Sequence, residues 1–205
     1  MTKPRNSYHH GDLPRALRKA GVALIGEKGV AAVTLRDVAR RVGVTHGAPY
    51  RHYADKTALV AAIAADGFAR LERMMHTAAA EAGDDPLARL LAIGRSYVVF
   101  AAMNPAYFVV MYGSESPDRD EHTELAAADD RAFAVLVDSV RDAQAGGRLI
   151  DSDPTRLALL LWSMVHGATH ILVSGDAARR GLPLEEFEAF MMDNTQLLLG
   201  GLLKR

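Results

Sequence analysis

His46, Tyr50, Arg51 and His52 crowd hydrogen-bond donors and stacking groups into one short stretch of the chain. Imidazole, phenol and guanidinium at that density are poor core material and good material for contacting phosphates and base edges. A second collection comprises Tyr97, Phe100, Met103, Tyr107, Phe108, Met111 and Tyr112 on two consecutive segments, followed by Trp162, His166 and His170 at four-residue spacing. That spacing places the last three on one helix face. Converging between helices, such residues would make an apolar pocket with a few polar groups, suited to a small effector. Core packing with histidines bonded to backbone or water explains the same residue types, so both readings stay open here. His166-x-x-x-His170 is also a metal-ligand spacing, but Gly167 stands where a zinc peptidase carries glutamate, and no third ligand falls at a recognisable distance. No nucleophile elbow, phosphate-binding loop or carboxylate pair appears. The sequence therefore predicts no catalytic residue, no metal and no cofactor. A metal-dependent hydrolase with a DNA-binding head is the enzymatic alternative, and stoichiometric zinc in the purified protein would revive it.

The elements that must position the first group are readable. Thr34 is a candidate N-cap, and Leu35, Val38, Ala39 and Val42 follow at the spacing of a one-sided helix. Gly43 can adopt the positive φ that stops it. Thr45 is then a second N-cap, and a second short helix is expected from His46 to Tyr53. Its polar face would carry His46, Tyr50, Arg51 and His52, with Val44 and Tyr53 turned inward. Two short helices joined by a glycine-containing turn describe a helix-turn-helix, whose second helix enters the major groove. Asp55 caps a further helix and puts Lys56 in its first turn, a poor place for a cation unless a phosphate lies near.

The string T-L-R-D-V-A-x-x-V-G-V-T-x-G-x-x-Y-x-H-Y-x-x-K, preceded by Y-H-H-G-D-L, resembles the DNA-binding domain of the TetR family of transcriptional repressors over roughly residues 12 to 60. The resemblance implies DNA contacts from Thr34, Arg36, Thr45, His46, Gly47, Ala48, Tyr50, Arg51, His52 and Lys56. Pro49 departs from the family's usual leucine. It removes an intrahelical N–H and crowds the carbonyl of Thr45, which bears directly on the pose of His46 and Gly47. Farther on, W-S-M-V-H-G (Trp162 to Gly167) is similar to the signature of a C-terminal domain in one TetR subgroup. The family's C-terminal domains generally bind a small effector and form the dimer. Effector contacts are accordingly expected from Tyr97, Phe100, Met103, Tyr107, Met111, Trp162, His166 and His170.

The charge distribution agrees with a two-part chain. Residues 1 to 56 hold eleven Lys and Arg against four acids, a surplus of seven, whereas the whole chain carries a net charge of −1. A basic head on an acidic body is the footprint of a nucleic-acid binder whose other part does something else. The absence of cysteine excludes disulfides and thiolate chemistry, and together with an N-terminus lacking an apolar leader it suits a cytoplasmic protein. The apolar run from Leu157 to Val173 is interrupted by Ser163, His166, Gly167, Thr169 and His170, and reads as a buried helix rather than a membrane span.

In chain order, Lys3 and Arg5 sit in a polar arm. Asp12 can cap a first helix with Pro14 in its opening turn, and Leu13, Leu17, Ala20 and Leu24 form its stripe up to Gly29. A long helix from Lys56 to about Ala82 follows, with Leu59, Ile63, Phe68, Leu71 and Met75 inward, and is the natural connector of head and body. Helices are expected up to Met103, from Ala106 to Met111, from about Glu121 to Ala145, from about 155 to Gly175 and from Leu184 to about Leu203. No segment alternates with period two. The fold class is therefore all-α, an N-terminal three-helix helix-turn-helix domain (1–56) plus a C-terminal helical bundle for ligand binding and dimerisation (57–205). Leu157, Leu160, Leu161, Met164, Leu197, Leu198, Leu202 and Leu203 offer more apolar surface than one bundle side needs, so they are the expected homodimer interface about a two-fold axis. The expected function is a ligand-responsive repressor that leaves a palindromic double-stranded operator when a largely apolar effector binds. An architectural DNA-binding protein with no effector is the alternative.

Overall fold

The computed structural model describes residues 13–203, without the side chains at 184, 188, 192, 196 and 199. The arm cations Lys3 and Arg5, the Y-H-H-G-D opening and the cap expected at Asp12 lie outside the described residues. Nine α-helices span them: α1 Leu13–Lys28, α2 Leu35–Val42, α3 Lys56–Glu81, α4 Pro86–Met103, α5 Pro105–Tyr112, α6 Thr123–Ala145, α7 Pro154–Val173, α8 Asp176–Arg179 and α9 Leu184–Leu202. No strand occurs among the described residues beyond one antiparallel bridge between Leu149 and Leu203. The short α8 falls between the helices expected to end near Gly175 and to begin at Leu184.

Two compact units result. One comprises the described residues up to Ala65 with Ala106–Leu125; the other comprises Asp66–Pro105 with Ala126 onward. The first unit thus takes in a segment that charge and composition assign to the body. It also extends past position 56 into α3.

In the first unit, Leu17, Leu24, Ile25, Val33, Leu35, Val38 and Tyr53 are buried, and α3 adds Leu59, Val60, Ile63 and Ala64. Gly21 has a packing reason: a Cβ there would meet the Cδ1 of Ile63 at 2.7 Å, so α1 and α3 approach through the missing side chain. Val42 and Val44, expected in this core, are only half-buried.

The second unit is built on α4, most of α6, α7, α9 and the larger, C-terminal part of α3. Leu90, Val137, Val140, Leu149, Leu157, Ala158, Leu161 and Leu202 form one cluster, with Leu91, Phe133, Leu136 and Leu198 packed against it. Asp85 and Asp153 cap α4 and α7, each followed by proline at the first helical position, where its missing N–H costs nothing. Gln144 donates to the carbonyls of Ile150 and Ser152, both at 2.9 Å, and so fixes the link from α6 to α7. By length and composition alone α4 and α7 could cross a membrane. Here they supply buried residues to this core.

Candidate nucleic-acid interface and effector cluster

The first helix of the helix-turn-helix is α2, and its start is over-determined. The Thr34 hydroxyl accepts from the Asp37 amide at 3.1 Å while Asp37 Oδ2 accepts from the Thr34 amide at 3.3 Å, the reciprocal arrangement of a capping box. Lys28 and Arg40 also donate to the Asp37 carboxylate, at 2.8 and 2.6 Å. The Lys28 and Thr34 hydrogen bonds hold the acid of Asp37 at about 2, well below the ordinary carboxylate value. Arg41 reaches back to Glu27 through two hydrogen bonds of 2.7 and 2.6 Å, the bidentate geometry of guanidinium on carboxylate, and lowers that acid in turn. Gly43, at φ 79°, ends the helix with its N–H directed at the carbonyls of Ala39 and Arg40.

The second helix differs from the expectation. Residues 46–53 do not form an α-helix; only Pro49–Arg51 is helical, as one 3-10 turn. Its cap position is Ala48 without a side-chain bond, so the N-cap expected at Thr45 is not realised. Pro49 supplies the physical reason. With no N–H it cannot bond the Thr45 carbonyl, which instead accepts from Ala48 at 3.0 Å. Pro49 is nonetheless buried. The turn resumes when His52 and Tyr53 both donate to the Pro49 carbonyl at 2.9 Å.

This tight turn still exposes the groups expected to contact DNA. Thr45, His46, Gly47, Tyr50, Arg51 and His52 are exposed, Tyr50 to 54% of its surface, while Ala48 is half-buried and Tyr53 turns inward. Arg36 is exposed on α2. The Thr34 hydroxyl is occupied by the capping box. Lys56 donates to the carbonyl of Ala31 at 2.9 Å, which accounts structurally for a cation at a helix start; its ammonium has two further protons. The bonds that fix this surface, Glu27 to Arg41 and Lys28 to Asp37, span fourteen and nine residues and depend on how α1 crosses α2. No local spacing announces them. A cavity of about 230 Å³ in this unit is lined by Val30, Lys56, Thr57, Val60, Glu115 and Pro117, none of them an expected effector residue.

Within the second unit, part of the effector cluster comes together. The Tyr97 hydroxyl shares a 2.7 Å hydrogen bond with His166 Nδ1. Trp162 stacks on His166 with ring centres 4.8 Å apart, and His170 lies one turn on at 6.4 Å. Burial, with His170 beside it, lowers the His166 imidazole from its ordinary value and so favours its neutral form. Phe100 is fully buried in the same unit. Met103 is a correction: the α4 register that turns Tyr97, Phe100 and Ala101 inward leaves it 73% exposed. Tyr107 and Met111 are buried in the first unit.

The dimer expectation also needs correction. Leu157, Leu161 and Leu202 are buried in the chain's own core and offer little surface to a second copy, while Leu198 packs against that core and is half-buried. They share the inward face of their helices with Ala158. Leu160, Leu197 (80%) and Leu203 are exposed, as are Leu159, Ile171 and Phe190, and Met164 is half-buried.

A capped helix, a glycine stop and an exposed turn of imidazole, phenol and guanidinium on a basic unit define a DNA-binding protein of the helix-turn-helix class. The profile described as "Bacterial regulatory proteins, tetR family" matches residues 17–63, and that described as "Tetracyclin repressor-like, C-terminal domain" matches residues 90–195. The chain belongs to the TetR family of transcriptional regulators. An HTH-type transcriptional repressor of Mycobacterium tuberculosis is 35% identical over 68 residues, 33% of this chain and 36% of that protein. The chain thus matches about a third of the length of that relative. Among solved structures, a protein of unknown function from Rhodococcus sp. RHA1 is 30% identical with a TM-score of 0.82, covering 98% of this chain and 100% of that one. The ketosteroid transcriptional regulator KstR2 of M. tuberculosis shares the fold at 20% identity and a TM-score of 0.66, covering 98% and 100%.

Proposed function

We propose that this DNA-binding regulator is a homodimeric repressor that reads a palindromic operator and releases it when a small, largely apolar effector occupies the second unit. The observation that carries the DNA reading is the 3-10 turn, whose Tyr50, Arg51 and His52 stand exposed beside the capped α2. Thr45, His46, Gly47 and Ala48 lead into that turn and complete the reading surface, with base edges addressed by Arg51. Arg36, Lys56 and the backbone around Thr34 take phosphates. Such a protein works where the chromosome is, in the cytoplasm.

Two exposed leucine-bearing faces support the dimer. Leu160 and Met164 on α7, with Leu197 and Leu203, extended by Leu159, Ile171 and Phe190, pair with their copies about a two-fold axis. Two recognition turns then lie one or more turns of B-DNA apart, roughly 34–36 Å or a multiple.

The effector reading rests on buried Tyr97, half-buried Trp162 and His166 and exposed His170, which join an indole face to polar groups. Phe100, one turn along α4 from Tyr97, is buried in the same unit. The α3 helix supplies residues to both units without a break, giving a covalent route for the switch. A hundredfold loss of operator affinity needs a coupling of about 3 kcal/mol, an ordinary value for allostery, and operator must weaken the effector by the same factor. The test is a panel of flat apolar compounds titrated against Trp162 fluorescence, each hit then added to the protein–DNA complex. Release of DNA by a hit, lost in Trp162→Ala or His166→Ala with ligand-free DNA affinity intact, supports the switch. A protein that no compound ever moves off DNA returns the reading to an effector-independent architectural one.

A further inference from the structure

The Tyr53 side chain does something a core aromatic need not do. Its ring is 7% exposed, yet its hydroxyl donates to the carbonyl of Pro14 and accepts from Arg18 Nη1, both at 3.2 Å. Its own amide bonds the Pro49 carbonyl at 2.9 Å. One residue is therefore tied through its main chain to the exposed turn and through its side chain to the first turn of α1. Pro14 and Arg18 are one turn apart, and Arg15 and Lys19 lie exposed beside them.

We infer that Tyr53 is a positioning residue for DNA binding: its phenol locks the start of α1, with Arg18, to the recognition turn. The 3-10 turn has only three helical residues and no side-chain cap. Little within it fixes its orientation, so bonds from outside must do so. The Pro14 carbonyl and the Arg18 guanidinium supply them from the element whose cations would meet phosphates flanking the bases read by Arg51. Cations on α1 and base-reading groups on the turn then approach the duplex as one surface. A phenylalanine would fill the same space and leave the two parts free to adjust independently.

The inference rests on the recognition turn proposed above, and the experiment separates the two. Full-length wild type, Tyr53→Phe, Arg18→Gln and the double variant are titrated against two probes: the duplex that wild type enriches from a random-sequence library, and a random-sequence duplex. Tyr53→Phe is expected to bind the enriched duplex about fivefold more weakly, the scale of one hydrogen bond, with a smaller loss on random DNA and an unchanged melting temperature. The double variant loses no more than the worse single variant, because both changes undo one lock. Wild-type affinity and selectivity in Tyr53→Phe, additive losses, or a loss that follows a lowered melting temperature would overturn the inference. Should Tyr53→Phe fold poorly, Arg18→Gln alone must reduce the ratio of enriched to random binding; an unchanged ratio rejects the lock. A wild type that enriches no sequence defeats the recognition turn itself, whatever Tyr53 does.

Discussion

In the first unit α2 is fastened by polar bonds that can be named one at a time, whereas in the second α4 and α7 are held by a face of side chains. Thr34 and Asp37 close the capping box, Lys28 and Arg41 tie α2 to α1, and Tyr53 ties the exposed 3-10 turn to the same helix. The second unit instead buries Leu90, Val140, Leu149, Leu157 and Leu161 in one cluster, with Tyr97 and His166 its conspicuous polar pair. The difference follows from size and task. A head that must present three or four polar groups at fixed angles cannot rely on a small, non-directional core. A body built for bulk burial can tolerate rearrangement, as the proposed effector site would require.

If that contrast is right, the largest single loss comes from the body. Phe100→Ala empties a fully buried ring position and should cost about 3–5 kcal/mol of stability, read from urea denaturation followed by Trp162 fluorescence. A cost near that of a surface change would mean the second unit is not held by packing. Thr34→Ala removes only the cap and should cost about 1 kcal/mol, with DNA affinity falling because α2 frays at its start.

Acid should separate the units by pH. The Asp37 carboxyl has a folded value near 2, below its ordinary 3.8, so its stabilisation is present above about pH 4 and fades as pH falls toward 2. The His166 imidazole is also depressed in the folded state. The unfolded chain therefore takes up its proton first, and this contribution, full above pH 6.5, erodes as pH falls below that value. Unfolding midpoints against pH for Asp37→Asn and His166→Gln should flatten the lower and the higher window respectively. A profile that neither variant alters removes both groups from the account.

Much of this was legible. Thr34 as a cap, Gly43 as the stop, and Asp85-Pro86 and Asp153-Pro154 as starts are local signals, and the helices begin or end there, whereas the reciprocal bond from Asp37 to the Thr34 amide was not read from the sequence. The inward stripe of Leu59, Ile63, Phe68, Leu71 and Met75 follows from periodicity alone. Pro49 was visible as an obstacle, but its consequence, a 3-10 turn in place of an α-helix, depended on the ring being wanted in the core. The leucines of α7 and α9 misled because sequence reports an apolar face without saying what covers it. Leu157 and Leu161 belong to the chain's own core, whereas Leu160 and Leu197 do not. Tyr53 reaching Pro14 and Arg18 spans 39 and 35 residues, beyond any spacing rule.

The most direct test of the DNA-reading head is selection from a random-sequence duplex library, followed by salt titration of the winner with wild type, Arg51→Ala and Lys56→Ala. Wild type should enrich one palindromic sequence, and its affinity should fall steeply and linearly with salt on logarithmic axes as counterions are released. Arg51→Ala should bind the enriched and random duplexes more nearly alike, whereas Lys56→Ala should weaken both by the same factor. No enrichment, or equal losses on both duplexes for Arg51→Ala, would contradict the assignment of the exposed turn as the element that reads sequence.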